Sequence, residues 1–144
     1  YGLSSMAFAF ILTLYASKRV LNRRMVHLFS LAAGGLGFLL MSSATASNDG
    51  ILNASFALIR IAWGSILSMP YAILSSEVDP SKMGITMGLF NMFIVIPQIV
   101  AAVGGINWAY KTFLGDAIIN TMILAGISLL IGAVTSLALP AKKG

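Results

Sequence analysis

Cysteine is absent from the 144 residues, which excludes disulfides and thiolate metal sites. Charge is nearly as scarce. Only 9% of the residues are charged, whereas a water-soluble fold carries about 25%. The polar coat that would face water is missing, and with 58% hydrophobic residues and a mean hydropathy of +0.94 the solvent that replaces water is lipid. The four acids, Asp49, Glu77, Asp79 and Asp116, all fall in loops or at helix ends, and His27 is the sole histidine. A membrane metalloprotease needs several His and Glu ligands, and an intramembrane acid or base catalyst needs a titratable group at depth, so the sequence assembles neither a catalytic centre nor a metal site. Phosphate-cradling loops of the G-x-x-x-x-G-K type are missing as well. The chain therefore reads as a non-enzyme that needs no cofactor. Its net charge of +5 calls for no nucleic acid, because Lys and Arg collect in the cytoplasmic loops of membrane proteins and no aromatic-interleaved basic surface is present.

What is there is a series of apolar runs. A spanning helix needs about 20 mostly apolar residues. Five stretches qualify, 1–16, 25–45, 51–74, 83–108 and 117–139, which makes the fold class all-α membrane protein. The breaks between them are short, so neighbouring helices are antiparallel and residues 1–144 form a single membrane domain. The run that opens at Tyr1 has no basic leader of the secretory kind, and the expectation is a piece of a longer chain rather than a processed one. Cation placement orients the bundle. With loops 17–24 and 75–82 and the tail 140–144 on the cytoplasmic side, Lys18, Arg19, Arg23, Arg24, Lys82, Lys142 and Lys143 lie inside and only Lys111 outside. Trp108 and Tyr110 then sit at the outer interface.

Arg60 is the charged side chain expected at membrane depth. It stands nine residues after Ile51, about 14 Å along a helix crossing about 30 Å. Asn53, Arg60, Gly64, Ser68 and Tyr71 share a face less than about 90° wide, a polar stripe on an apolar rod. Two readings follow. Either the face lines a cavity, or Arg60 pairs with a carbonyl or an acid on a helix outside this chain. On the fourth helix Gly84, Asn91, Gln98 and Gly105 recur every seven residues. Asn91 and Gln98 fall about 12 and about 22 Å from the cytoplasmic end, bracketing the expected level of Arg60. Amides on one face serve either as substrate partners or as interhelical glue. Pro70 and Pro97 free the carbonyls of Ile66 and Phe93, which suits gating helices and equally permits a static bend. The second and fifth helices, with Ala32 to Gly37 and with Ala125, Gly126, Gly132, Ala133 and Ser136, read as packing helices because small residues permit close approach. His27, beside Arg23 and Arg24, reads as interfacial and structural.

These residues carry a resemblance. The stretch W-G-S-I-L-S-M-P-Y-A-I-L-S-S at 63–76, followed by M-G-I-T-M-G-L-F-N-M-F-I-V-I-P-Q at 83–98, resembles the tenth and eleventh helices of sucrose and maltose permeases of the major facilitator superfamily. Plant sucrose carriers have a similar G-x-x-M-G-x-x-N followed by P-Q. The loop K-R-V-L-N-R-R and the following H-L-F-S-L-A-A-G-G-L-G resemble the eighth-to-ninth connection and the ninth helix of the bacterial members. The resemblance implies helices eight to twelve of a twelve-helix carrier, with eight, ten and eleven facing the central cavity and nine and twelve facing lipid. It implies a proton-coupled sugar symporter of a disaccharide such as maltose or sucrose, working by alternating access in a bacterial inner (plasma) membrane. Asn91 and Gln98 would be the hydroxyl partners, with Ser68 on the same lining, Trp63 or Tyr71 the stacking plate, and Arg60 a cavity charge. The carboxylate that couples the proton must lie on the missing N-terminal helices, so residues 1–144 alone are not expected to transport. A major facilitator carrier of another solute and a non-transporting membrane subunit remain the alternatives.

Overall fold

The computed structural model describes residues 22–44, 48–115 and 117–139. The first apolar run, 1–16, and the loop residues Lys18 and Arg19 lie outside the described residues. Within them the chain is helical and without strands. Helix α1 spans Arg23–Met41, α2 Asp49–Glu77, α3 Met83–Val100, α4 Ile106–Phe113 and α5 Ile118–Thr135. Among the described residues four helical stretches are long and apolar enough to cross a bilayer: α1, α2, Pro80–Gly105, and Ile118–Ala138.

The helix ends follow from local chemistry. Asn48 caps α2 by accepting the Ile51 N–H, and Asp49 places a negative charge in the first turn. At the other end Val78 is extended and Asp79 precedes Pro80, a position that proline's ring drives out of the α region. The Asp79 carboxylate accepts from the Ser81 N–H at 2.9 Å and from its hydroxyl at 2.7 Å, and so starts the short turn Pro80–Lys82 that leads into α3. These two bonds hold the Asp79 carboxyl below its ordinary value.

Observed bounds depart from those expected of the sequence. Helix α2 starts earlier and ends later than 51–74, and α1 occupies Arg23–Met41 rather than 25–45. The larger difference is in the fourth run. The expected rod 83–108 is broken: Ala101–Gly105 forms a wide turn in which Gly104 has φ 114°, and a separate eight-residue helix, α4, follows. Backbone at that φ is costly for any residue with a Cβ, which is why the bend falls at a glycine. Both prolines, by contrast, lie inside continuous helices. The break also takes Gly105 off the seven-residue face of Asn91 and Gln98.

Helix α1 lies between α2 and α5 and packs on both. Its glycines make this possible. A Cβ on Gly34 would collide with the Ala62 Cβ of α2, one on Gly37 would lie 2.9 Å from the Ser55 carbonyl, and one on Gly35 would lie 2.9 Å from the Gly126 carbonyl of α5. The buried side chains are small, Ala62, Ala133, Ser30, Ser55, Ser65 and Ser136, joined by Leu31 and Met69, while Phe29, Leu36, Trp63, Leu67, Ile85 and Phe93 point outward. Soluble cores have the reverse arrangement. In lipid, burying a large aliphatic side chain gains little, and close backbone approach through small residues supplies the packing instead.

Arginines close one end of both seams. Arg23 donates through Nη1 to the Ala72 carbonyl near the end of α2 at 2.7 Å, and Arg24 to the Leu139 carbonyl beyond α5 at 2.8 Å. Arg24 thus meets the negative end of an antiparallel helix, while Arg23 reaches a carbonyl one turn short of the end of another. Between the arginines and the glycines, His27 Nδ1 and Ser65 Oγ lie 2.9 Å apart across α1 and α2, and Ser65 is wholly buried.

Candidate functional site

Helix α2 has two faces. Ser55, Ala62, Ser65 and Met69 turn inward to α1. The polar stripe of Asn53, Arg60, Gly64, Ser68 and Tyr71 falls roughly 150° around the helix from them at 100° per residue, so it faces away from the packed unit. Asn53 and Ser68 are exposed, Arg60 and Tyr71 half-buried. Arg60 is engaged in an interaction of its own. Ser68 donates to the Gly64 carbonyl at 2.8 Å, which leaves its oxygen as an acceptor. Trp63, 58% exposed, stands about a quarter-turn from the stripe.

Helix α3 is tied to this stripe at one point. The Tyr71 hydroxyl donates to Asn91 Oδ1 at 2.6 Å, and the Tyr71 ring meets Phe90 edge-on with centroids 5.1 Å apart. Elsewhere α3 makes little contact with α1, α2 or α5 and has no buried residue. Of the six candidate binding residues, Tyr71 and Asn91 are thus joined directly.

That bond sets a register. Arg60 stands eleven residues from Tyr71, and Gln98 seven from Asn91. At 1.5 Å per residue Gln98 lies about 10 Å and Arg60 about 16 Å beyond the pair, with Trp63 at about 12 Å. The expected slab, with Arg60 between Asn91 and Gln98, is replaced by a column: Tyr71 and Asn91 at one level, Gln98 and Trp63 at a second, Arg60 beyond them. The difference arises because α2 runs on to Glu77, which carries Arg60 further from the hairpin. Pro70 adjoins Tyr71 and Pro97 adjoins Gln98, so each level lies beside a missing backbone donor.

Partners not legible in the sequence include Asn91 and Phe90 for Tyr71, Ser65 for His27, and the backbone carbonyls of Ala72 and Leu139 for Arg23 and Arg24. Only the small-residue spacing of α1 and α5 pointed toward such close seams. Apart from Arg60, the described cations divide between the ends, Arg23, Arg24 and Lys82 beside the α2–α3 hairpin and Lys111 at the far end of α4.

Over 90 residues the chain is 30% identical to the protein named sucrose transport protein SUC4 in Arabidopsis thaliana, an overlap of 61% of this chain and 18% of that protein. The chain is similar to a plant transport protein. It spans less than a fifth of that relative's length. No family model and no solved structure matches it. The apolar helices and this likeness together mark an integral, multi-pass membrane protein.

Proposed function

We propose that the chain is part of a sugar transporter of the major facilitator superfamily, helices eight to twelve of a twelve-helix carrier, moving a disaccharide such as sucrose or maltose with a proton by alternating access. The observation that carries this reading is the Tyr71–Asn91 pair: two hydroxyl-recognising groups between apolar helices, in a chain similar to a sucrose transport protein. Amides and phenols suit sugars because each offers directional hydrogen bonds, and an apolar aromatic plate such as Trp63 covers C–H faces. Gln98 supplies a second amide and Arg60 a charge at the far end of the column. The halves of the carrier rock around a midplane site, with the α2–α3 hairpin loop and Arg23 and Arg24 on the cytoplasmic side of the plasma membrane. Proton coupling needs a carboxylate at depth. Among the described acids Asp49 and Glu77 stand at the two ends of α2 and Asp79 in the hairpin loop, so the coupling group is assigned to the helices that complete the carrier, as are further substrate contacts.

The test is uptake of radiolabelled sucrose and maltose by cells expressing the full-length protein, with and without a proton uncoupler, beside Asn91→Ala and Gln98→Ala. Uncoupler-sensitive uptake whose apparent affinity falls in both variants while they still reach the membrane supports the reading. Uptake of neither sugar overturns the substrate assignment, and uptake indifferent to the uncoupler overturns the coupling.

A further inference from the structure

The 2.6 Å bond between Tyr71 and Asn91 does more than join two helices, because it decides which way an amide points. An asparagine side chain carries an acceptor at one end and two donors at the other, and a free amide presents either end to a ligand. Here the phenol proton occupies Oδ1. The two Nδ2 hydrogens of Asn91, which is exposed, are then left for a ligand, and the phenol oxygen keeps its lone pairs. Phe90 packs edge-on against the Tyr71 ring and limits its swing, so the hydroxyl is held at the amide rather than free to turn outward.

We infer that Tyr71 is a positioning residue for Asn91, and that the pair acts as one unit that recognises a single hydroxyl of the transported sugar. This rests on the sugar reading above. A ligand hydroxyl completes a closed cycle: it accepts from Asn91 Nδ2 and donates to the Tyr71 oxygen, while Tyr71 donates to Asn91 Oδ1. Each bond in such a ring polarises the next. The cycle is selective for a group that both accepts and donates. Hydrogen at that position of the sugar makes neither bond, and fluorine cannot donate. Tyr71 therefore acts through its hydroxyl and not as the stacking plate, a task left to Trp63, which is exposed one level away.

The test uses sucrose with the full-length protein. Monodeoxy and monodeoxyfluoro sucroses, modified at each position in turn, compete against uptake of labelled sucrose, and membrane expression is followed by a tag. In the natural protein one position should stand out, its deoxy analogue losing about tenfold or more in apparent affinity, as expected for two neutral hydrogen bonds, and its fluoro analogue, which cannot donate, losing at least about threefold. In Tyr71→Phe, which keeps the ring against Phe90 and removes only the hydroxyl, that penalty should shrink to about threefold or less while those at other positions stay as they were. Asn91→Ala should abolish it at the same position. A merely structural contact would change expression or transport rate without changing which hydroxyl matters. The inference is overturned if the natural protein penalises no position with both analogues, or if Tyr71→Phe or Asn91→Ala keeps the whole pattern. Sucrose and maltose both failing to enter with the natural protein would overturn the sugar reading and this one together, whereas uptake with an unaltered pattern in the variants overturns this one alone.

Discussion

Replacing Gly34 by alanine should loosen the α1–α2 seam even though it removes a poor helix former. Taken alone, Gly→Ala in a helix interior gains about 1 kcal/mol. At Gly34 the new methyl would land on the Ala62 Cβ, and Ala62 is only 1% exposed, so neither carbon has open space to move into. Both atoms are one bond from backbone, and relief requires the helix axes to part. A gap of about 0.5–1 Å forfeits a quarter to a half of each dispersion contact along the seam, and overpacking of this kind costs about 1–3 kcal/mol. Packing supplies most of the association energy between helices in lipid, so the clash should win, with a net loss of up to about 2 kcal/mol. Gly88→Ala is the matched control. It lies on α3 with nothing within 4 Å of the added Cβ, so only the propensity gain remains. Thermal denaturation of the full-length protein in detergent, read as loss of the monodisperse size-exclusion peak, should place Gly34→Ala below the natural protein and Gly88→Ala level with or above it. Equal shifts in the two variants, or a Gly34→Ala midpoint at or above the natural one, would refute the close-seam argument.

Other perturbations probe the remaining contacts. Arg24→Leu removes the bond to the Leu139 carbonyl and should cost about 1–2 kcal/mol in the same assay, with Arg24→Lys retaining part of it. His27→Ala and Ser65→Ala should be non-additive, because each alone already breaks the 2.9 Å contact; a double variant equal to the sum of the singles would remove that bond from the account. For Asp79 the folded-state value is depressed, so its contribution is complete above the ordinary carboxylate value near 3.8 and is lost as pH falls through the lower folded value. The stability gap between the natural protein and Asp79→Ala should accordingly be constant above about pH 5 and close below about pH 4. Gly104→Ala forces a Cβ into φ 114° and should cost about 1–3 kcal/mol; an unchanged midpoint would mean that the bend relaxes into ordinary helix.

Composition and apolar run length were enough to make this an all-α membrane protein, because lipid tolerates few unpaired polar groups and only a helix satisfies its own backbone. The same logic located four spanning stretches to within a few residues and marked α1 and α5 as packing helices from their small residues alone. Periodicity likewise placed Asn53, Arg60, Gly64, Ser68 and Tyr71 on one face and Asn91 with Gln98 on another. Periodicity says which residues share a face, but neither how two faces are registered nor where a rod bends. The break at Gly104 needed a backbone angle, since glycines inside membrane helices are common and most stay helical. The Tyr71–Asn91 bond, the Phe90 contact and the arginine clasps needed the third dimension, because each joins residues on different helices at separations no spacing rule encodes. Tertiary structure alone therefore turned the expected level slab into a column with Arg60 at its far end: one hydrogen bond fixed the sliding of α3 along α2, a degree of freedom on which the sequence of either helix is silent.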